Sequence, residues 1–139
     1  MALESKVEWY GNDKKKDMNL ATIKALTRSS DLVQTDAKLK VPVDNGDLRS
    51  SIVTAVNEGK LDAVVSTNKE YAPYIEFGTG RFAEDGTGRK TPWTYFSEKY
   101  GWVTTSGHKA QPYMRPALND NIDKIKKIFI LEGSKAVDK

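Results

Sequence analysis

The first half of the chain is dominated by a long segment in which apolar residues recur at steps of three and four. Residues 14–39 contain neither proline nor glycine, and this spacing places the apolar side chains along one side of an α-helix. The sequence therefore predicts a long amphipathic helix, preceded by a short edge strand at residues 7–10 and a turn at residues 11–13. A bend or break is expected at Ser29-Ser30-Asp31, whose side chains compete for backbone hydrogen bonds. The apolar stripe of this helix consists of Met18, Ala21, Ala25, Leu26, Leu32, Val33, Ala37 and Leu39.

The spacing changes at Val41-Pro42-Val43. Proline disfavours the helical conformation in the residue before it, so the helix is expected to end here and residues 44–47 to form a turn. In residues 50–57 apolar side chains alternate between two sides, and a second apolar run follows in residues 61–67 after the turn-forming Glu58-Gly59-Lys60. This pattern predicts a β-hairpin.

The next segment, residues 71–78, is aromatic and short. Tyr74 and Phe77 are three residues apart and so lie on one face of one or two helical turns, which Gly78 is expected to end. The chain then becomes rich in glycine, threonine and charge in residues 80–91, which predicts a long, mobile loop.

A second predicted hairpin is rich in aromatic residues and consists of two short strands, residues 93–96 and 102–105. Together with the preceding loop it forms one segment, residues 80–109, which we call the arm. Several aromatic side chains so close together would be costly to leave in water, so we expect the arm to contact a neighbouring subunit and to become ordered there. The alternative is that the arm folds back onto the sheet of its own subunit, and the sequence favours neither of the two. The candidate interface residues are Trp93, Tyr95, Phe96 and Trp102.

The last predicted helix begins at Arg115-Pro116, with the proline in its first turn. Gly133 is expected to end it, and residues 134–139 are expected to be a frayed tail. The order of elements predicts an α+β fold in one domain, residues 1–139: a small antiparallel sheet packed by a long N-terminal helix and a C-terminal helix, with the arm extending from it. The apolar positions of the last helix are Ala117, Leu118, Ile122, Ile125, Ile128, Phe129, Ile130 and Leu131.

Composition narrows the class of protein. The chain of 139 residues contains no cysteine, which excludes disulfides and thiolate metal sites. It contains neither the apolar core of a signal peptide nor a run of about 18–20 apolar residues that would span a membrane. We therefore expect a soluble product that stays in the cytoplasm where it is made.

Candidate catalytic chemistry is sparse. His108 is the single histidine and lies in a loop, and no motif of a metal site or nucleophilic triad is present. Gly78-Thr79-Gly80 is not followed by lysine at the spacing of a phosphate-binding loop. Asp44, Asp47 and Glu76 could form a carboxylate group of the kind nucleases use, but turn formation already explains the first two. We expect no catalytic residue, no metal and no cofactor.

Two basic clusters raise the question of nucleic acid. Lys14-Lys15-Lys16 is flanked by Asp13 and Asp17, and the second cluster, Lys124, Lys126 and Lys127, follows two aspartates. With a formal net charge of only +3, solvated helix faces are the favoured interpretation. A small DNA-binding module is kept as an alternative.

Three segments carry a resemblance when taken in order. They have the sequences V-P-V-D-N-G-D-L-R-S-S-I (residues 41–52), Y-A-P-Y-I-E-F-G-T-G (71–80) and A-Q-P-Y-M-R-P-A-L (110–118). With a helix before and after them, they resemble a family of minor structural proteins of long-tailed phages and prophages, labelled tail-component or head–tail joining proteins. The chain departs from the family pattern by Asn45 for threonine and Tyr113 for phenylalanine. The matching residues are Pro42, Asp44, Gly46, Leu48, Arg49, Tyr71, Tyr74, Glu76, Phe77, Gly78, Thr79, Pro112, Arg115 and Pro116.

The resemblance implies a structural role near the junction of head and tail, with subunits assembled around the phage axis. A neck protein and a tail-completion protein are both compatible with it. The implied partners are other phage structural proteins, namely a connector or stopper, a tail terminator or a tail tube. A homo-oligomeric ring of six or twelve copies follows by analogy, located in the virion, with DNA passing incidentally and no membrane contact. An assembly factor that is not retained in the virion is the remaining alternative.

Arg49 and Glu76 offer one specific hypothesis within these segments. Arg49 is expected to be solvated at the corner between helix and strand. The alternative is that it pairs with Glu76 and ties that corner to the short helix, since an arginine–carboxylate pair is geometrically specific.

Overall fold

The α+β class is confirmed by the computed structural model, which describes residues 11–138. This part of the chain contains five α-helices and two separate two-stranded antiparallel sheets, with the longest helix at its N-terminal side and another long helix at its C-terminal side. The strand expected at residues 7–10 lies outside the described residues. None of the helices in residues 11–138 is long and apolar enough to cross a membrane.

Helix α1, Gly11–Lys40, is continuous. The break expected at Ser29-Ser30-Asp31 is wrong, since α1 continues through these residues. Ser30 Oγ donates to the carbonyl of Thr27 at 3.0 Å, within the helix. The turn expected at residues 11–13 is also wrong: they are helical, and Asp13 lies in the first turn, where a carboxylate is favourable. Leu39, placed in the apolar stripe, is 76% exposed. Apart from Ser30, the residues that α1 buries recur every four positions and are small or medium-sized: Ala21, Ala25, Ser29, Val33 and Ala37.

The predicted last helix is two helices, α4 (Met114–Asn119) and α5 (Ile122–Val137). Asn121 stands at the break because its amide donates both to the carbonyl of Ala117 (2.7 Å) and to Asp36 on α1 (2.8 Å). Farther along, Arg28 of α1 contacts Glu132 of α5 at 2.8 Å, so the two long helices run antiparallel.

The end of α5 also differs from the expectation. The helix continues through Gly133 to Val137, so neither the stop at Gly133 nor a frayed tail at residues 134–137 is found. Glu132 and Ala136 on either side of the glycine are buried, and packing against α1 holds the last turn in a helix.

The first hairpin consists of β1, Val53–Asn57, and β2, Asp62–Ser66, with Ala55 opposite Val64. The expected alternation is confirmed: one face lies toward α1 and the other is exposed. The strand starts three residues later than expected because residues 46–51 form a short helix, α2 (Gly46–Ser51). This helical turn places Leu48 in the core with no exposed surface.

The core draws on all three motif segments. Residues 41–52 contribute three of its members, residues 71–80 one and residues 110–118 two, and the remainder come from α1. Packing in the core therefore accounts for many of the residues in the three motif segments. The core residues are Val33, Ala37, Val41, Leu48, Ile52, Ala72, Tyr113 and Ala117.

The arm follows the short helix α3, Ala72–Phe77, which Gly78 ends as expected. It begins with a single 3-10 turn, Gly80–Phe82, and continues through a loop into β3, Trp93–Ser97, and β4, Gly101–Thr105. These strands pair antiparallel, with Trp93 opposite Thr105, so the second predicted hairpin is also confirmed.

Candidate assembly interface

Glu76 on α3 is the point where the second and third motif segments are joined. Its side chain is 6% exposed. One carboxylate oxygen accepts hydrogen bonds from the backbone N–H groups of Tyr113 (2.8 Å) and Met114 (2.9 Å), and the other accepts from the N–H of Arg115 (2.9 Å). These are N–H groups at the start of α4, which have no partner within their own helix. A carboxylate distant in sequence therefore caps α4.

Arg115 completes this cluster. Its Nε donates to Glu76 Oε1 at 2.9 Å, and its two terminal nitrogens donate to the backbone carbonyl of Glu76 and to Glu84 Oε2, both at 2.9 Å. The guanidinium also lies 4.5 Å from the ring centroid of Phe77, a favourable cation–π distance. One side chain thus connects α3, α4 and the first part of the arm.

The hypothesis that Arg49 pairs with Glu76 is wrong. The carboxylate of Glu76 is taken up by Arg115 and by three backbone donors. Arg49 is exposed, and its guanidinium contacts the carbonyl of Val41 at 3.4 Å within the same corner. Its main role is local, at the junction of α1 and α2.

The hydrogen bonds to Glu76 favour its charged, deprotonated form. Burial by itself raises the pKa of this carboxyl, but the three backbone N–H donors and the Arg115 side chain favour the charged form and together hold the pKa below its usual value. A lowered pKa in the folded state means that the charged carboxylate stabilises the fold above pH about 4.3, the ordinary value for glutamate. That contribution is lost as the pH falls through the lowered pKa.

We therefore expect acid to destabilise the protein in part through Glu76. The free energy of unfolding of the unmodified chain should fall between about pH 4.5 and pH 2, and Glu76→Gln should show a shallower decrease over the same interval. Chemical unfolding followed by circular dichroism at a series of pH values measures both. Parallel curves for the two proteins would contradict this assignment.

The base of the arm is closed by close backbone contacts. Thr79 N–H donates to the carbonyl of His108 (2.9 Å), Thr79 Oγ1 accepts from His108 N–H (2.9 Å), and Arg81 N–H donates to Ser106 (3.2 Å). Gly80 and Gly107 face each other there, and a Cβ atom on either would lie 2.2 Å from a carbonyl oxygen of the opposite segment. The two ends of the arm can approach this closely only because both residues are glycine.

A large open groove lies between α3 and the base of the second hairpin. Its volume is about 1350 Å³. The aromatic residues among its lining are Tyr71, Tyr74, Phe77, Trp93 and Tyr95. Of these, Tyr74 is 60% exposed and Phe77 45% exposed. Two of the predicted interface residues, Trp93 and Tyr95, are thus brought together with aromatic motif residues.

The other two predicted interface residues lie on the opposite face of the hairpin. Phe96 and Trp102 are directly opposed across the strands and stack edge to face, with centroids 5.5 Å apart. They are 60% and 75% exposed, and Tyr100 in the adjoining turn is 71% exposed. We call Phe96, Tyr100 and Trp102 the outer aromatic face.

The arm does not fold back onto the first sheet. Strands β3 and β4 contact each other extensively and make no comparable contact with α1, β1 or β2. The fold-back alternative is therefore wrong, and the described arm stands apart from the body, anchored at Thr79 and His108. Contact with a neighbouring subunit stays a prediction.

The remaining motif residues occupy the surface. Asp44 and Gly46 are exposed at the start of α2, and Pro42 is half-buried at the end of α1. Pro112 is exposed, while Pro116 lies in the first turn of α4, as expected. These residues shape turns and helix ends, and none of them lines the groove.

The carboxylates weighed as a nuclease group are not assembled. Asp44 and Asp47 are exposed, whereas Glu76 is buried and fully engaged by α4. In the part of the chain that the structure describes, no three His, Cys, Asp or Glu side chains are grouped so that they could hold a metal ion.

The two basic clusters are far apart. Lys124 of α5 lies near Asp36 of α1. The other cluster, Lys14-Lys15-Lys16, precedes Asp36 in α1 by about twenty residues, which is about 30 Å along the helix axis. The two clusters therefore lie toward opposite ends of α1.

The contacts of two side chains were not predicted from the sequence. Glu84 was assigned to a mobile loop, yet it binds Arg115, and Asn121 was placed inside a helix, yet it bridges α4 and α1. For Asn121 a signal was available, since asparagine is unfavourable within a helix and favoured at its ends.

The family model described as "Bacteriophage HK97-gp10, putative tail-component" matches residues 2–78, more than half of the chain. The chain therefore belongs to this family, which supports a structural role in a phage particle with other phage structural proteins as partners. The match includes the first motif segment and most of the second, and the third lies beyond it. Comparisons with curated proteins and with solved structures give no significant match.

Proposed function

We propose that the chain is a non-enzymatic subunit of the head–tail joining (neck) or tail-completion region, and that it assembles as a homo-oligomeric ring between the head connector and the tail. The observation that carries this proposal is the pair of uncovered aromatic surfaces, the groove and the outer aromatic face. The outer aromatic face belongs to the arm, and the groove lies between the arm and α3.

The total surface of the chain supports the same conclusion. The accessible surface is 10293 Å², whereas a compact monomer of 15.5 kDa exposes about 7200 Å². The eleven residues outside the described part account for at most about 1800 Å² of the difference. The excess that remains is typical of a subunit completed by its neighbours.

The mechanism we propose is geometric. The α1–α5 pair and the core form a rigid body, and the cluster at Glu76 and Arg115 fixes the direction in which the arm leaves it. A subunit that binds its neighbour through two different surfaces forms a closed ring when the rotation between copies divides a full turn. Six-fold or twelve-fold closure fits the axis of a phage tail by analogy.

Mass measurement tests the proposal. We expect the isolated chain to be a monomer or a ring of defined mass, and purified phage particles to contain six or twelve copies of it. Particles made without the chain should lack joined tails. The control is the same preparation complemented with the unmodified gene.

Three outcomes would contradict the proposal. Absence of the chain from complete particles would make it an assembly factor. Strongly salt-dependent retention on duplex DNA by the isolated subunit would favour the DNA-binding alternative. Metal-dependent nuclease activity that is lost when Asp44 and Asp47 are replaced would overturn the non-enzymatic assignment.

A further inference from the structure

We infer that the occupant of the aromatic groove is the hairpin tip of a second copy of this chain. The outer aromatic face of one subunit, Phe96, Tyr100 and Trp102, would insert between α3 and the hairpin base of the next. This inference rests on the proposed ring assembly and names the two surfaces that form the contact.

Residues 11–138 of a subunit leave its own outer aromatic face exposed. Successive side chains of a strand point to opposite sides of a sheet, so Trp93 and Tyr95 lie on one face of the hairpin and Phe96 with Trp102 on the other. The first face lines the groove of the same subunit, and the second does not. The described body makes no substantial contact with the hairpin. The outer aromatic face is therefore open to another molecule.

An isolated two-stranded hairpin is marginally stable in water. One face of the β3–β4 hairpin lines the groove of its own subunit. On the other face, Phe96 and Trp102 contact each other. Enclosing that pair within a neighbour's groove gives the hairpin apolar contacts on both faces. This stabilises the hairpin in the assembly more than in the free subunit.

The two surfaces match in chemistry. The groove is lined by rings, and edge-to-face contacts between rings are favourable beyond their area alone. Its lining also contains the acidic pair Glu84 and Asp85 together with Arg89. Glu84 is bound by Arg115. The hairpin tip contains Glu98 and Lys99 between its strands, which are opposite in sign to Arg89 and Asp85 of the groove.

The area available to one such contact is small. From their exposed fractions, and taking about 200 Å² for each aromatic side chain, the outer aromatic face and the groove together offer roughly 800 Å². A standard stable interface buries about 1600 Å². One contact is therefore weak, and each subunit in a closed ring makes two.

Cross-linking between two single-cysteine variants tests this contact, and the absence of native cysteine makes every cross-link interpretable. Lys99→Cys labels the hairpin tip, and Pro73→Cys labels the groove. Cells producing phage would express both variants, one with a tag that changes its mass, in place of the unmodified chain. Particles are then treated with a short bis-maleimide. The control replaces Pro73→Cys by Glu58→Cys, in the exposed turn of the first hairpin.

We expect a dimer containing one chain of each variant from the tip and groove pair, and at least about tenfold less of it from the control pair. Complete particles in which the tip cross-links to a different phage protein, or equally to Glu58→Cys, would overturn the inference and leave the proposed ring intact. Failure to find the chain in particles would overturn both.

A substitution test gives an independent readout. Phe96→Thr combined with Trp102→Thr should lower the equilibrium constant for self-association by about tenfold or more, since buried aromatic residues dominate interfaces. The control is Val53→Thr with Val64→Thr on the exposed face of the first sheet, where both valines are 53% exposed. Analytical ultracentrifugation at several concentrations compares them, and equal effects would overturn the inference.

Discussion

Glu76→Ala is expected to lower the free energy of unfolding by about 3–5 kcal/mol, a large part of the roughly 5–15 kcal/mol that stabilises a typical domain. The loss arises because three backbone N–H groups at the start of α4 lose their acceptor at once. A buried donor without a partner costs about 1–3 kcal/mol. Urea unfolding followed by circular dichroism measures the change.

Two variants separate this capping role from simple charge pairing. Glu84→Ala removes the other carboxylate that binds Arg115 but leaves α4 capped, and its side chain is 43% exposed, so the expected loss is below about 1 kcal/mol. Glu76→Gln keeps one oxygen acceptor and should lie between the two. A loss for Glu76→Ala no larger than that for Glu84→Ala would show that the carboxylate is not the cap.

The local patterns predicted the elements but not the choice of partner for Glu76. Spacing along residues 14–39 and 50–67 depends on neighbouring residues only, and it gave α1 and the first hairpin. Arg49 and Arg115 both stand in motif segments, 27 and 39 residues from Glu76 along the chain. Only the packed core decides which arginine is near, because Leu48 turns into it and leaves Arg49 on the outside.

The errors at helix boundaries have the same origin. Glycine is a frequent helix end, yet Gly133 lies within α5 because Glu132 and Ala136 beside it are buried against α1. Serine is a weak helix former, yet α1 continues through Ser29 and Ser30, which are both buried. Packing that sequence spacing does not show has overridden local preference in both cases.

The candidate interface was predicted as a group of aromatic residues, and the structure divides that group in two. The sequence indicates that Trp93, Tyr95, Phe96 and Trp102 are unusually concentrated. Which of them share a face depends on the register of β3 and β4, since Phe96 opposes Trp102 and Tyr95 opposes Val103. The groove also needs Tyr74 and Phe77 from another element, whose approach depends on the closed base of the arm.

Gly80→Ala is therefore expected to open the arm. The new Cβ would lie 2.2 Å from the carbonyl oxygen of Ser106, and Gly80 has a φ of 60°. The left-handed conformation costs alanine about 1–2 kcal/mol, and overpacking against backbone adds about 1–3 kcal/mol. The hydrogen bonds between Thr79 and His108 should break, so amide hydrogen exchange in residues 79–109 should accelerate strongly while exchange in α1 and α5 stays slow.

Gly86→Ala is the matched control, since Gly86 has a φ of 73° with no atom within 4 Å of the added Cβ. It measures the cost of the backbone conformation alone. Because the groove is lined from both sides of the arm's base, Gly80→Ala should also abolish self-association, which Gly86→Ala should retain. Equal exchange rates in the two variants would mean that the close approach of Gly80 and Gly107 does not hold the arm. In that case the groove would have to be formed by contact with the neighbouring subunit.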